Sequence, residues 1–273
     1  MSDILMELRE TVAYLQSRYA EKPEIGIVLG SGLGNFAGSI NVELEVSYTD
    51  IPHFPVSTVE GHTGKLIFGT IGGKKVVAMA GRFHYYEGYT PQEVVFPIRV
   101  MKYLGISTLL LSNAAGSVNP DYEVGDMMII RDHVSFFTPN PLIGKNVAEW
   151  GPRFPDMSEP YNKGLINKAR AIAARHNYVI HEGVYVAVTG PTFETRAEYK
   201  FISVLGGDVV GMSTVQECIV ANHMGIDVFA VSVVTDLGIR EEDNVITHEE
   251  VLAAAKAAEP RLATIFVELI SAI

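Results

Sequence analysis

Apolar residues recur at helical spacing near the start of the chain, where Ile4, Leu5, Leu8, Val12 and Leu15 share one face and Ser2 or Asp3 can serve as N-cap. The spacing predicts an amphipathic opening helix. Beyond it the period changes. Short runs at 25–29, 75–80, 108–112, 127–131, 183–189, 208–212 and 227–234 are rich in Val, Ile and Leu, several of them apolar on both faces. Strands that bury both faces belong to a covered, largely parallel sheet. Helix-start signals alternate with them: Thr90-Pro91-Gln92-Glu93, Thr195-Arg196-Ala197-Glu198, Thr214-Val215-Gln216-Glu217 and Thr247-His248-Glu249-Glu250. Each sets a hydroxyl three residues ahead of a carboxylate that can reach back to it, the first with proline at N1. Gly105, Gly206 and Gly225 come after three of these stretches as stop residues, and a further helix is expected over 161–176 before Asn177. The alternation predicts an α/β fold, a central mixed and largely parallel sheet flanked by helices.

Composition narrows the function classes. The 273 residues carry 21 Lys and Arg against 32 Asp and Glu, a net charge of −11, which disfavours nucleic acid or an anionic membrane as partner. At 48 % hydrophobic and 19 % charged the chain is ordinarily globular. No linker, charge block or repeat divides it, so one domain over 1–273 is expected. Asp3, Glu7, Arg9 and Glu10 interrupt any signal-peptide core, and no run of about 18 apolar residues offers a membrane span. The single cysteine, Cys218, allows no intramolecular disulfide and no zinc spacing. A cytoplasmic protein without a metal is expected.

In open α/β sheets ligands sit beyond the carboxyl ends of the strands, and the residues just after each expected strand here are polar. Gly30-Ser31-Gly32-Leu33-Gly34 is a structural turn, an anion cradle of backbone N–H groups, or part of a dinucleotide fingerprint through Gly32-Leu33-Gly34-Asn35-Phe36-Ala37 and Asp50. The fingerprint needs a long helix next, and Ala37-Gly38-Ser39-Ile40-Asn41-Val42-Glu43 does not suit one. Arg82 and His84 stand two apart and face the same way on extended chain, so they could share one anion, although each also suits an ordinary polar surface. His62, in Gly61-His62-Thr63-Gly64, is similarly open. Ser213 falls where a strand passes into a helix, as an N-cap or an anion ligand. Gly211-Met212-Ser213-Thr214-Val215 lacks the last glycine of a hydrolase elbow, and His248-Glu249-Glu250-Val251-Leu252 lacks the second His of a zinc motif. Glu194 is either a helix-dipole partner or a buried acceptor.

Taken together, these residues resemble one family, the trimeric purine nucleoside phosphorylases specific for 6-oxopurines. The resemblance runs in order through Gly30-Ser31-Gly32-Leu33-Gly34, Gly61-His62-Thr63-Gly64, Gly81-Arg82-Phe83-His84-Tyr85-Tyr86-Glu87-Gly88-Tyr89, Ser112-Asn113-Ala114-Ala115-Gly116, Val124-Gly125-Asp126, Arg131-Asp132-His133, Gly190-Pro191-Thr192-Phe193-Glu194-Thr195 and Val210-Gly211-Met212-Ser213-Thr214. It implies the nucleoside phosphorylase fold and phosphorolysis of (deoxy)inosine and (deoxy)guanosine in purine salvage. It needs no cofactor, because inorganic phosphate is a co-substrate. By the resemblance, Ser31, Arg82, His84, Ser213 and the Ala114 N–H hold phosphate with His62 close by. Phe193, Glu194, Gly211, Thr235 and Asp236 take the purine. Tyr86, Tyr185, Met212 and His248 take the ribose, and Trp150 of a neighbouring subunit closes the sugar pocket of a homotrimer. His84, Glu194 and Asp236 are the expected catalytic residues.

One position departs from the family pattern. After Thr235 such enzymes usually carry Asn, whose amide donates to N7 or O6, and here it is Asp236. Asp236 could act protonated, could share a proton with N7, or could accept from a 6-amino group as in methylthioadenosine phosphorylases, which would admit adenosine. Glu194 suits an N1–H that adenine lacks, and His248 suits a 5′-hydroxyl rather than a thioether, so the 6-oxopurine expectation stands.

Overall fold

The computed structural model describes residues 3–56, 64–239 and 246–273. The opening helix is α1 (Asp3–Arg18), and strand β1 (Ile25–Leu29) is buried along its whole length, as its two-faced apolar run requires. Two strands were not expected from sequence: β2 (Asn41–Ser47) and β3 (Lys65–Ile71) form an antiparallel pair that leads into β4 (Lys74–Ala80). β2 is mostly exposed and lies at the edge of the sheet, so it has the plain alternation of Val42, Leu44 and Val46 with Glu43 and Glu45 rather than a buried run. Before it, Gly34–Ser39 makes only a short 3-10 stretch, so the long helix of a dinucleotide fold is absent there.

Helix α2 (Pro91–Leu104) opens at Thr90, whose Oγ1 accepts from Glu93 N while Glu93 accepts from Thr90 N at 2.7 Å, and it stops at Gly105 with φ +128°. Thr195 and Thr247 cap α4 (Arg196–Val204) and α6 (His248–Ser271) in the same reciprocal way. Such a cap contributes about 1 kcal/mol, which is why the signal is strong enough to be read locally. The expected helix at 161–176 is α3 (Lys163–Arg175), followed by Asn177 at φ +54°.

β5 (Thr108–Ser117) runs further than its apolar half. The polar Ser112–Gly116 segment, expected to follow the strand, is its second half and pairs with β9 (Asp227–Leu237), which itself continues through Thr235 and Asp236. With β6 (Met127–Val134), β7 (Ile180–Ala187) and β8 (Val209–Gly211) these complete, among the described residues, a sheet of nine strands in the order β2-β3-β4-β1-β5-β8-β7-β6-β9, closed by an added β5–β9 pairing. The set β5, β8, β7, β6 and β9 thereby rings itself, with parallel pairs β5–β9, β6–β7 and β7–β8 and antiparallel pairs β5–β8 and β6–β9. β5 stays paired with β9 across a register shift between Ala115 and Gly116, and Gly116 and Ser117 pair with β8 as well, so chemistry-bearing residues stand on strands rather than on free loops. The remaining helix, α5 (Val215–His223), packs against α2, and α6 crosses β9. Among the described residues no helix is long and apolar enough to cross a membrane.

Candidate active site

A cavity of about 510 Å³ opens where the carboxyl ends of β1, β4, β5, β8 and β9 converge on the first turn of α6, room enough for a ligand of nucleoside size. Its lining brings together Ser31, Arg82, His84, Tyr86, Ala114, Phe193, Glu194, Gly211, Met212, Ser213, Thr235, Asp236 and His248 from positions far apart in the chain.

At one end charge is buried and paired. The Arg82 side chain is 1 % exposed. Its Nε and Nη2 donate to Glu217 Oε1 and Oε2 at 3.1 and 2.8 Å, and its Nη1 donates to the Ser112 carbonyl at 2.7 Å and to Ser213 Oγ at 3.2 Å. That two-pronged pairing fixes the guanidinium plane. Glu217 therefore does not close a capping box with Thr214 as its spacing suggested. Thr214 makes no side-chain cap, sits at φ +71°, and accepts from Asn113 Nδ2 at 2.9 Å instead. Positive φ at a β-branched residue costs about 1–3 kcal/mol, and here it sets Ser213 directly before the N-terminus of α5. Gly30 serves the same end: a Cβ there would lie 2.7 Å from the Ser112 carbonyl, so only glycine lets the Ser31 turn approach β5 so closely.

His84 is held by a short local motif. Glu87 Oε1 accepts the His84 backbone N–H at 2.8 Å and lies 3.0 Å from Nδ1, while the ring stacks on Tyr86 with centroids 4.7 Å apart. Burial pushes the imidazole pKa down against the pull of Glu87, and Arg82 adds to the depression. The neutral ring is favoured, and an ionised Glu87 selects the tautomer with the proton on Nδ1.

The other end is acidic. Asp236 is 9 % exposed, and its Oδ1 accepts from Thr235 Oγ1 at 3.0 Å while the buried Oδ2 has no hydrogen-bond partner among the described residues. Gly116 leaves the room it occupies, since a Cβ there would lie 2.6 Å from Oδ2. Burial raises the Asp236 pKa, with Thr235 opposing. Glu194 is raised too, by burial first, while the charge on Asp236 pushes the same way. Phe193 stays 40 % exposed beside it.

Tyr185 does not line the cavity, and Trp150, expected from a neighbouring subunit, lines a different cavity of its own. Tyr185 is fully buried behind the cavity rather than in it, where its hydroxyl accepts the Ser213 N–H at 3.2 Å. Trp150 is only 7 % exposed, and its ring lies under the Arg99 guanidinium at 3.8 Å, at a different cavity. Stacking on a buried cation fixes the plane of the indole. His62 lies outside the described residues. Sequence reasoning gave no site role to Glu217, Glu87 or Asn113. The burial of Arg82 demands a carboxylate, but nothing local says that it comes from 135 residues away.

Residues 24–271 match the family model described as Phosphorylase superfamily. The chain is 47 % identical over 266 residues to purine nucleoside phosphorylase 1 of Bacillus subtilis, covering 97 % of each. It superposes on Schistosoma mansoni purine nucleoside phosphorylase in complex with inosine at TM-score 0.93 and 41 % identity, covering 98 % of this chain and 96 % of that one. A structure of Schistosoma mansoni purine nucleoside phosphorylase in complex with adenosine gives TM-score 0.92 and 42 % identity over 97 % of this chain and 96 % of that one. With the sheet, the paired arginine and the two raised carboxyls in one cavity, this chain belongs to the purine nucleoside phosphorylases of the phosphorylase superfamily.

Proposed function

We propose that the chain catalyses reversible phosphorolysis of (deoxy)inosine and (deoxy)guanosine, releasing the purine and α-(deoxy)ribose 1-phosphate, with phosphate as co-substrate and no cofactor. The observation that carries this is one cavity with a hydroxyl, arginine and imidazole end facing an end of two carboxyls whose acidity burial has weakened. Phosphate sits among Ser31, Ser213, Arg82, His84 and the Ala114 N–H. Glu217 neutralises and orients Arg82, so the site binds its anion through fixed donors more than through net charge. A neutral His84 with its proton on Nδ1 accepts a phosphate O–H at Nε2.

A phosphate oxygen forms the bond to C1′ as the C1′–N9 bond breaks, and the electron pair leaves with the purine, which takes up a proton. Positive charge develops on the sugar above the phosphate and negative charge on the base, so each end of the cavity stabilises one half of the transition state. Glu194 accepts from N1–H, and the raised pKa of Asp236 lets its orphan Oδ2 carry a proton toward N7. Phe193 stacks on the purine, Tyr86 and Met212 hold the ribose, and His248 at the start of α6 meets the 5′-hydroxyl. Tyr185 acts through Ser213.

A homotrimer belongs to the same proposal. It is supported by large apolar side chains left outside on one stretch, with Phe136 88 %, Ile143 68 % and Phe154 86 % exposed. Light scattering on the purified protein tests it. The function is tested by base release from inosine, guanosine and adenosine with and without phosphate. Phosphate-dependent release of hypoxanthine and guanine supports the proposal. Release without phosphate makes the protein a hydrolase, and adenosine as best substrate reassigns Asp236 as an acceptor for a 6-amino group.

A further inference from the structure

A second cavity, of about 550 Å³, lies between α1, α2, the end of α5 and the 141–150 segment, and it shares no lining residue with the first. At its wall is Arg99, 3 % exposed. Among the described residues its buried Nη1 has no hydrogen-bond partner and no ion pair reaches it. The indole Nε1 of Trp150, with the Tyr103 hydroxyl near it, and the Nδ1 of His223, both in the same lining, are likewise buried and make no hydrogen bond of good geometry among the described residues. Three unsatisfied polar atoms around one space are costly, and a buried cation without a counter-charge is the costliest. Burial pushes the Arg99 pKa down to about 10, which still leaves it charged at neutral pH.

In a protein of net charge −11 this is a local exception that asks for a negative group. The remaining walls say which kind. Leu5, Leu142 and Val147 are aliphatic, while Gln92, Asn146 and the exposed Lys145 complete the polar part of the lining, so the cavity suits an anion that carries an apolar chain. We infer that this cavity is a binding site for a small carboxylate with an aliphatic tail, its two oxygens accepting from Arg99 Nη1 and Trp150 Nε1. His223 Nε2 lies 3.0 Å from the Pro152 carbonyl, which can only accept, so Nε2 holds the ring proton. A carboxylate beside Nδ1 favours adding a second proton there, turning the third orphan into a donor.

Trp150 is the only tryptophan and stacks on Arg99, so its fluorescence reports the site without a label. Titrating the whole protein with sodium hexanoate should change the emission saturably and raise Tm, while 1-hexanol should do neither. Arg99→Met should abolish both responses and, having removed an unpaired buried cation, should raise the ligand-free Tm. Arg99→Lys, which keeps the charge without the planar fork, should weaken the response at least tenfold. Equal responses to hexanol, or an undiminished response in Arg99→Met, would overturn the proposal. So would an emission that ignores hexanoate and follows protein concentration, which would mean that the carboxylate comes from a second copy of the chain.

Discussion

The two ends of the main cavity solve opposite problems. At the phosphate end the charged groups are answered by the protein itself: Glu217 holds Arg82 through two bonds, and Glu87 holds His84. At the base end Asp236 buries an oxygen with no partner, and burial lifts the pKa of both Asp236 and Glu194. One end is organised before substrate arrives, and the other is completed by substrate or by a proton. The difference follows from what each must recognise. An anion that gains its bond in the transition state is best met by donors already fixed in place, whereas a purine edge with mixed donors and acceptors is best met by groups whose protonation can match it.

The largest effect is expected from breaking the organised end. Glu217→Ala takes the two-pronged carboxylate away from the buried Arg82 and should cost about 3–5 kcal/mol in folding stability, read by urea unfolding. Phosphate KM should rise strongly in whatever fraction folds, and Glu217→Gln should recover part of the stability because it keeps the shape and one acceptor. An unchanged urea midpoint in the alanine variant would mean that the Glu217 carboxylate is not what answers the Arg82 charge.

At the base end, Glu194→Ala should lower kcat/KM for inosine by about 2–4 kcal/mol, with a smaller loss of stability because Glu194 is only partly buried. Kinetics close to those of the parent on inosine and guanosine would remove Glu194 from the base site.

Asp236→Asn sharpens the comparison. The amide donates at every pH, so guanosine turnover should be kept or improved, and the fall of kcat/KM as pH rises through the raised Asp236 pKa should vanish. Stability carries the same sign. A carboxyl whose folded pKa is raised is tolerated best when protonated, and its contribution is lost as pH rises from the unfolded value near 3.8 through the folded one. Asp236→Asn should therefore stabilise the ligand-free protein at neutral pH and not at pH below that window. A collapse of guanosine turnover would show that an ionised Asp236 is required.

The smallest effect is expected behind the pocket. Tyr185→Phe removes the acceptor for the Ser213 N–H and should cost about 0.5–1.5 kcal/mol, seen as a several-fold rise in phosphate KM with nucleoside KM unchanged. A change confined to nucleoside KM would place Tyr185 at the ribose instead.

Local signals carried much of the fold. The run at 25–29 is a strand with the same limits, and three of the four hydroxyl-and-glutamate starts close as reciprocal caps, because each is settled by contacts within one turn. The fourth, at Thr214, fails because its glutamate is taken by an arginine from the other half of the chain. Strand β2 was missed because an exposed edge needs no continuous apolar run, and β3, buried between β2 and β4, because Gly69 and Thr70 break its short apolar run. The polar half of β5 read as a loop because its ladder partner, β9, supplies from far along the chain the burial that its own residues do not advertise.

Sequence by itself determined the α/β alternation, the caps and stops, the acidic balance and the set of motifs from which the cavity is built, since all of these depend on residue type and short spacing. Only the tertiary structure decided that Arg82 is neutralised by Glu217, that Tyr185 stands behind the site, that Trp150 stacks on Arg99 away from it, and that Asp236 keeps one oxygen without a partner. Those facts turn on which buried charges meet, and burial and charge pairing are properties of neighbours in space.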